Sequence, residues 1–158
     1  METHPDTGRE ESPEERTDRN LLELLNELRV ALPGVQVLFA FLLVVPFNQR
    51  FGTVTDFQRG IYFVTLLCTA AASAFLIAPS VHHRIEFRYQ DKEYIVTTAN
   101  RLAIAGLSFL AVAMTGAVLL VTDYLFSTLT TVLTCGGVAI TFAVLWYAIP
   151  IRRRLSRN

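Results

Sequence analysis

Polar and hydrophobic positions along this chain segregate into blocks far longer than a helical turn. Between Arg29 and Arg50 lie 20 consecutive positions without a formal charge; Gly60 to Val81 gives 22, Leu102 to Thr122 gives 21 and Tyr124 to Ile151 gives 28. Each block meets the roughly 20 mostly apolar residues needed to cross about 30 Å of hydrocarbon at about 1.5 Å per residue. One such block suits a buried core helix, but four leave too little polar chain to enclose them, so a bilayer is the better solvent. Inside it every backbone N–H and C=O must be paired within its own segment, which predicts helices. The expected fold is all-α: a polytopic membrane protein of four transmembrane helices in an antiparallel bundle, preceded by an amphipathic N-terminal helix.

That helix has a readable start. In Ser12-Pro13-Glu14-Glu15 the serine hydroxyl caps a free N–H, proline suits the first turn and Glu15 completes a capping box. Leu21, Leu25, Leu28 and Leu32 then recur at spacings of four, three and four, with Leu24 beside them and Arg19, Glu23, Asn26 and Glu27 polar. Two placements fit: a helix lying on the membrane surface before Pro33 and Gly34 redirect the chain into the bilayer, or a solvated helix packed on the 82–101 loop. The expected division is a disordered acidic tail at 1–11, the cytoplasmic or interfacial helix at 12–32, a transmembrane domain at 33–151 with spans near 33–48, 60–80, 101–122 and 125–150, and a basic cytoplasmic tail at 152–158. In the 82–101 loop, Ile85, Phe87, Tyr89, Tyr94 and Val96 alternate as a strand hairpin would, but an isolated hairpin is marginal. Helical extensions of both spans with a turn near Gln90 and Asp91 are the preferred reading. Asp123 and Tyr124 are expected to turn the chain between spans three and four.

Charge adds orientation. The net charge of zero sums an acidic start, with nine acids and four arginines in residues 1–29, and a basic end, with four arginines after Ile151. Arg9, Arg16, Arg19 and Arg29, then Arg84, Arg88, Lys92 and Arg101, then Arg152, Arg153, Arg154 and Arg157 all fall on one side of a four-span protein. Arg50 and Arg59 alone fall on the other, and this excess places both termini in the cytoplasm. The polar, acidic first twenty residues lack the basic start and short apolar core of a signal peptide, so the first span is expected to remain as an anchor. No basic domain points to nucleic acid.

Few residues suggest chemistry. No Asp, Glu, Lys or Arg lies centrally in a span, which disfavours a self-contained ion-coupled transporter. His82, His83 and Glu86 share a helix end, but zinc needs three or four converging ligands and a second shell; histidines there more often meet the helix dipole. Cys68 and Cys135 both sit in apolar blocks, where a thiol packs and does not react. No motif implies a cofactor, a metal or a catalytic set. Small residues at every fourth position, Ala70, Ala74 and Ala78, then Ala105, Ala113 and Ala117, then Gly137 and Thr141, are expected to bring helix backbones together, a homodimer interface being the weaker use.

Glu27-Leu28-Arg29, Leu32-Pro33-Gly34-Val35-Gln36, Phe39-Ala40-Phe41-Leu42, Pro46-Phe47, Arg50-Phe51, Ala78-Pro79, His83-Arg84, Phe87-Arg88 and Asn100-Arg101 together resemble an actinobacterial family of uncharacterised integral membrane proteins, a domain of unknown function. The resemblance covers about residues 21 to 155 and implies four spans in a bacterial inner membrane, with no activity or catalytic residues to carry over. Its polar positions, Glu27, Arg29, Gln36, His83, Arg84, Asn100 and Arg101, gather near the inner ends of the spans. They are the candidate site, with Glu27 expected to pair with Arg84 or Arg101; the plainer reading is a lock fixing helix ends. The leading expectation for function is a non-enzymatic accessory or scaffold protein contacting membrane lipids and a membrane-protein partner. A small channel or transporter, working as a homo-oligomer, is the alternative, and an enzyme ranks third.

The basic-residue distribution makes a direct prediction. A cysteine placed at Asn158 or Asp91 should resist membrane-impermeant thiol reagents in intact cells, whereas one at Gly52 should react. Labelling of either of the first two in sealed cells would refute the orientation.

Overall fold

A computed structural model describes residues 12–86 and 92–156. The expected disordered tail at 1–11 and the turn near Gln90 and Asp91 lie outside them. The described residues form α1 (Pro13–Val44), two 3-10 turns (Val45–Phe47 and Gln49–Thr53), α2 (Asp56–Glu86), α3 (Lys92–Leu125), α4 (Thr128–Phe142), a π-helical turn (Ala143–Ala148) and α5 (Ile149–Leu155). Four stretches are long and apolar enough to cross a membrane: Glu15–Phe47, Asp56–His82, Tyr94–Leu125 and Thr128–Leu155. No strand occurs among the described residues, and Ile85, Tyr94 and Val96 are helical.

The capping box at Ser12 forms as read, with Glu15 N–H donating to Ser12 Oγ at 3.2 Å and Ser12 N–H to Glu15 Oε2 at 2.9 Å. The expected redirection at Pro33 does not occur. α1 runs through Pro33 as one helix of 32 residues, about 48 Å at about 1.5 Å per residue. Its buried positions, Leu21, Leu28, Val35 and Leu42, repeat every seven residues on both sides of the proline, the seam of a helix packed along its whole length. Proline removes one backbone bond and presses on the preceding turn. Because Pro33 sits on the exposed side while Leu28 and Val35 are held in one core cluster, packing keeps the helix continuous.

α1 is longer than the roughly 30 Å hydrocarbon, and its early turns lie against the start of α3. There Leu21 packs with Ile95 and Ala99, flanked by Leu24, Leu25 and Val96. The leucine stripe that fitted either a membrane surface or a protein neighbour meets the protein neighbour.

α2 and α3 form the most extensive pair; α1 lies against both, and the backbone of α4 approaches only α3. The buried row of α2 is Tyr62, Thr65, Thr69, Ala72, Leu76 and Pro79. This corrects the alanine row expected from sequence: Ala74 is exposed, because a shift of two residues from Ala72 turns about 200° around a helix with 3.6 residues per turn. On α3 the row is Ile95, Ala99, Ala103, Gly106, Leu110 and Ala113; of the expected set Ala113 is fully buried while Ala105 and Ala117 are half-buried. A Cβ on Gly106 would lie 2.7 Å from Leu76 Cγ and 3.2 Å from Leu76 N, and one on Gly116 would collide with Thr65 Oγ1. These glycines let the backbones approach where lipid removes the usual hydrophobic drive. Thr65, Thr69 and Ser73 turn their hydroxyls onto Ile61, Thr65 and Thr69 carbonyls at 2.7, 2.8 and 3.0 Å. Satisfied within their own helix, they offer methyl and methylene surface to α3.

The fourth span diverges. Among its described residues only Thr131 is buried. Gly137 and Thr141, expected to pack, are exposed, and a Cβ on Gly137 would meet nothing within 4 Å. The chain reverses at Phe126 and Ser127, because Asp123 and Tyr124 belong to the last turn of α3. Near the other end Ile149 N–H reaches Val144 O five residues back. This wider turn stands just before Pro150, which has no N–H to give and whose ring crowds the carbonyl four residues earlier.

The two kinds of glycine should respond oppositely to one methyl group. Gly106→Ala should lower stability in detergent by about 1–3 kcal/mol through overpacking against Leu76. Gly137→Ala should be neutral or stabilising by up to about 1 kcal/mol, the helix-propensity difference. Equal melting temperatures for both variants would remove the close contact from the account.

Candidate functional site

The sequence candidates with described side chains form no dry polar network, and Gln36, two residues from Leu38, lies nearer the opposite end of α1 than the basic end. Glu27, Arg29 and Gln36 lie on α1, Arg84 near the end of α2, and Asn100 and Arg101 on α3, and all six side chains are exposed. The helix places His83 beside Arg84; its side chain, like that of Glu86, lies outside the described residues. Among the described residues no ion pair joins Glu27 to Arg84 or Arg101. Exposed charges gain little from pairing because water or headgroups screen them, so nothing forces these side chains together.

The opposite end of the bundle holds polar contacts that sequence reading passed over. Thr55 caps α2 reciprocally with Gln58: Gln58 N–H donates to Thr55 Oγ1 at 3.2 Å, and Thr55 N–H to Gln58 Oε1 at 3.1 Å. The remaining amide group of Gln58 donates to Asp123 Oδ2 on α3 at 2.9 Å. One side chain thereby helps cap the start of α2 and ties it to the end of α3. Thr55-Asp56-Phe57-Gln58 carries the Thr-x-x-Gln pattern of a capping box, a signal that was present in the sequence. Asp56 and Arg59 add an exposed ion pair at 3.3 Å, a contact of small energetic consequence.

Deeper, Tyr62 donates its hydroxyl to the Leu42 carbonyl at 2.9 Å. The reason lies in α1. A helical carbonyl accepts from the N–H four residues on, and for Leu42 that residue is Pro46, which has none. Tyr62 supplies the missing donor from the neighbouring helix, so Pro46 and Tyr62 are complementary halves of one contact. Phe51 of the second 3-10 turn closes over this tyrosine, ring centroids 5.2 Å apart and planes at 73°, the edge-to-face geometry favoured by aromatic quadrupoles.

Between these contacts lies a cavity of about 480 Å³. Leu38, Phe41, Leu42 and Val45 of α1 and the turn after it form one wall, Ala117, Leu120, Val121 and Leu125 of α3 another, and Asn48, Gln58, Tyr62 and Tyr124 complete an almost wholly apolar lining. A second hollow of about 560 Å³ opens where the fourth span leaves α2 and α3, lined by Thr65, Ser108, Thr115, Gly116, Phe142 and Tyr147 among others. It is bridged by the Ser108 and Tyr147 hydroxyls, 2.6 Å apart, and near it Phe142 packs edge-on to Trp146 at 4.8 Å. Neither hollow is lined by Gln36 or Asn100, two of the three residues expected to line a transport pocket. Cys135 lies 3.7 Å from the Thr122 hydroxyl and Cys68 is half-buried on α2; both are free.

No group of three metal-ligating side chains converges among the described residues, and every buried side-chain polar atom among them has a hydrogen-bond partner.

The Tyr62 contact should show thermodynamic coupling. Tyr62→Phe leaves the Leu42 carbonyl unsatisfied and should cost about 1–3 kcal/mol. Pro46→Ala restores an N–H at the position that carbonyl lacks, so in that background the same change should cost clearly less. A thermal-stability double-mutant cycle measures the difference, and additive effects would show that the two residues act separately.

Comparison with known proteins gives a family and no activity. Residues 10–150 match a family described as "Family of unknown function (DUF6328)", and the chain belongs to that family. No curated protein and no solved structure matches it.

Proposed function

We propose that this member of the DUF6328 family is a non-enzymatic accessory or scaffold protein of a bacterial cytoplasmic membrane, with both termini in the cytoplasm and a membrane-protein partner held at the basic end. The single observation carrying this reading is the exposed charge at that end. The early turns of α1 are fastened to α3 by Leu21, Ile95 and Ala99, and Glu27, Arg29, Arg84, Asn100 and Arg101 are exposed. Charged, and with no group of three metal-ligating side chains among the described residues, such a surface suits recognition, where complementary charge steers encounter and fixes register. The one-sided distribution of basic residues supports the orientation, and the sequence resemblance supports an actinobacterial inner membrane. Arg152, Arg153 and Arg154 at the end of α5 suit anionic headgroups at about 1 kcal/mol per charge near the surface.

The transport alternative gains no comparable support. The spans carry no central ionisable residue, and the two hollows lie at the flanks of α2 and α3 with largely apolar walls.

Glu27→Lys combined with Arg101→Glu preserves net charge and alters two exposed side chains. The native chain, affinity-purified from its own membranes, should retain one membrane protein in stoichiometric amount, and the double variant should lose it at an unchanged melting temperature. Retention of the same protein by both chains, or of none by the native chain, would refute the accessory reading.

A further inference from the structure

We propose that the cavity between the end of α1 and the end of α3 is a binding site for one hydrocarbon chain of a membrane phospholipid. The inference requires that the chain span a bilayer and is independent of any protein partner. Three features of the cavity point to this occupant. Its volume, about 480 Å³, lies within the roughly 300–1,000 Å³ of small-molecule sites.

Its depth fits one leaflet. From Ala117 to Leu125 the lining of α3 rises about 12 Å at about 1.5 Å per residue, close to half of the roughly 30 Å hydrocarbon thickness.

The lining is almost wholly apolar, as an acyl chain requires: Leu38, Leu42 and Ala117 wall one end, and at the other the Gln58 amide is already engaged by Thr55 and Asp123. Phe41, Val121 and Leu125 line the hollow yet remain exposed, which leaves it open sideways toward lipid. The Tyr62 hydroxyl is directed onto the Leu42 carbonyl, so the interior presents no unsatisfied donor to the acyl chain. A polar solute would lose its hydration there without replacement.

The test uses the purified full chain in detergent with phosphatidylethanolamine carrying a photoreactive diazirine midway along one acyl chain. Labelling should saturate at one lipid per protein, be displaced by unlabelled phospholipid, and map to peptides containing Leu38 to Leu42 and Ala117 to Leu125. Ala117→Phe and Val121→Trp, placed one turn apart on the cavity wall, should each abolish the saturable component while far-ultraviolet circular dichroism shows intact helix. Labelling of the native chain that rises linearly with probe and spreads over all exposed helix faces would overturn the proposal, whether or not the variants fold. Saturable labelling unchanged in both folded variants would also overturn it.

Discussion

The close approach of α2 and α3 is the contact on which the rest of this protein depends. It is set by two absences of side chain, at Gly106 facing Leu76 and at Gly116 facing Thr65. In lipid there is no hydrophobic gain from placing one apolar helix against another, so dispersion at short range must hold the pair. That explains why the buried rows carry Ala, Gly and Thr as well as Leu, and why threonine hydroxyls are turned back onto their own helix. α1 then lies along the groove between the two with a seven-residue seam, and the fourth span lies against α3, with Trp146 packed on the core cluster.

Backbone satisfaction is the second constraint, and the prolines show how it is met. Pro33 faces outward, where its missing bond costs least. Pro46 would leave the Leu42 carbonyl bare inside the bundle, and Tyr62 fills that place from α2. Pro150 is preceded by a π-helical turn that makes room for it. Three different remedies follow from one chemical fact, the lack of an N–H, because the three sites differ in exposure and in neighbours.

The two ends of the bundle differ in kind. Toward the basic end Glu27, Arg29, Arg84, Asn100 and Arg101 stand exposed, whereas the opposite end is pinned by Gln58, Asp123 and Tyr62 beside an almost wholly apolar hollow.

Much of the fold was legible from the sequence because the bilayer imposes length and polarity rules on each segment separately. The four charge-free blocks, the capping box at Ser12 and the helical extensions flanking residues 87–91 follow from local chemistry alone. The seven-residue repeat from Leu21 to Leu42 was equally present, but the proline within it suggested a break that only packing of Leu28 and Val35 on both sides could override. Which face of each span is buried was not decided by small-residue spacing, since Ala70, Ala74 and Ala78 are as evenly spaced as the row that does pack. The same holds for the seven polar candidates: composition placed them at one end, and only the tertiary structure left the six with described side chains exposed. The Gln58 to Asp123 and Tyr62 to Leu42 contacts join residues 65 and 20 positions apart, and no local pattern carries such distances. Sequence fixes what each helix must be in lipid; the neighbours a helix meets depend on how closely two particular backbones can approach, which is a property of the pair.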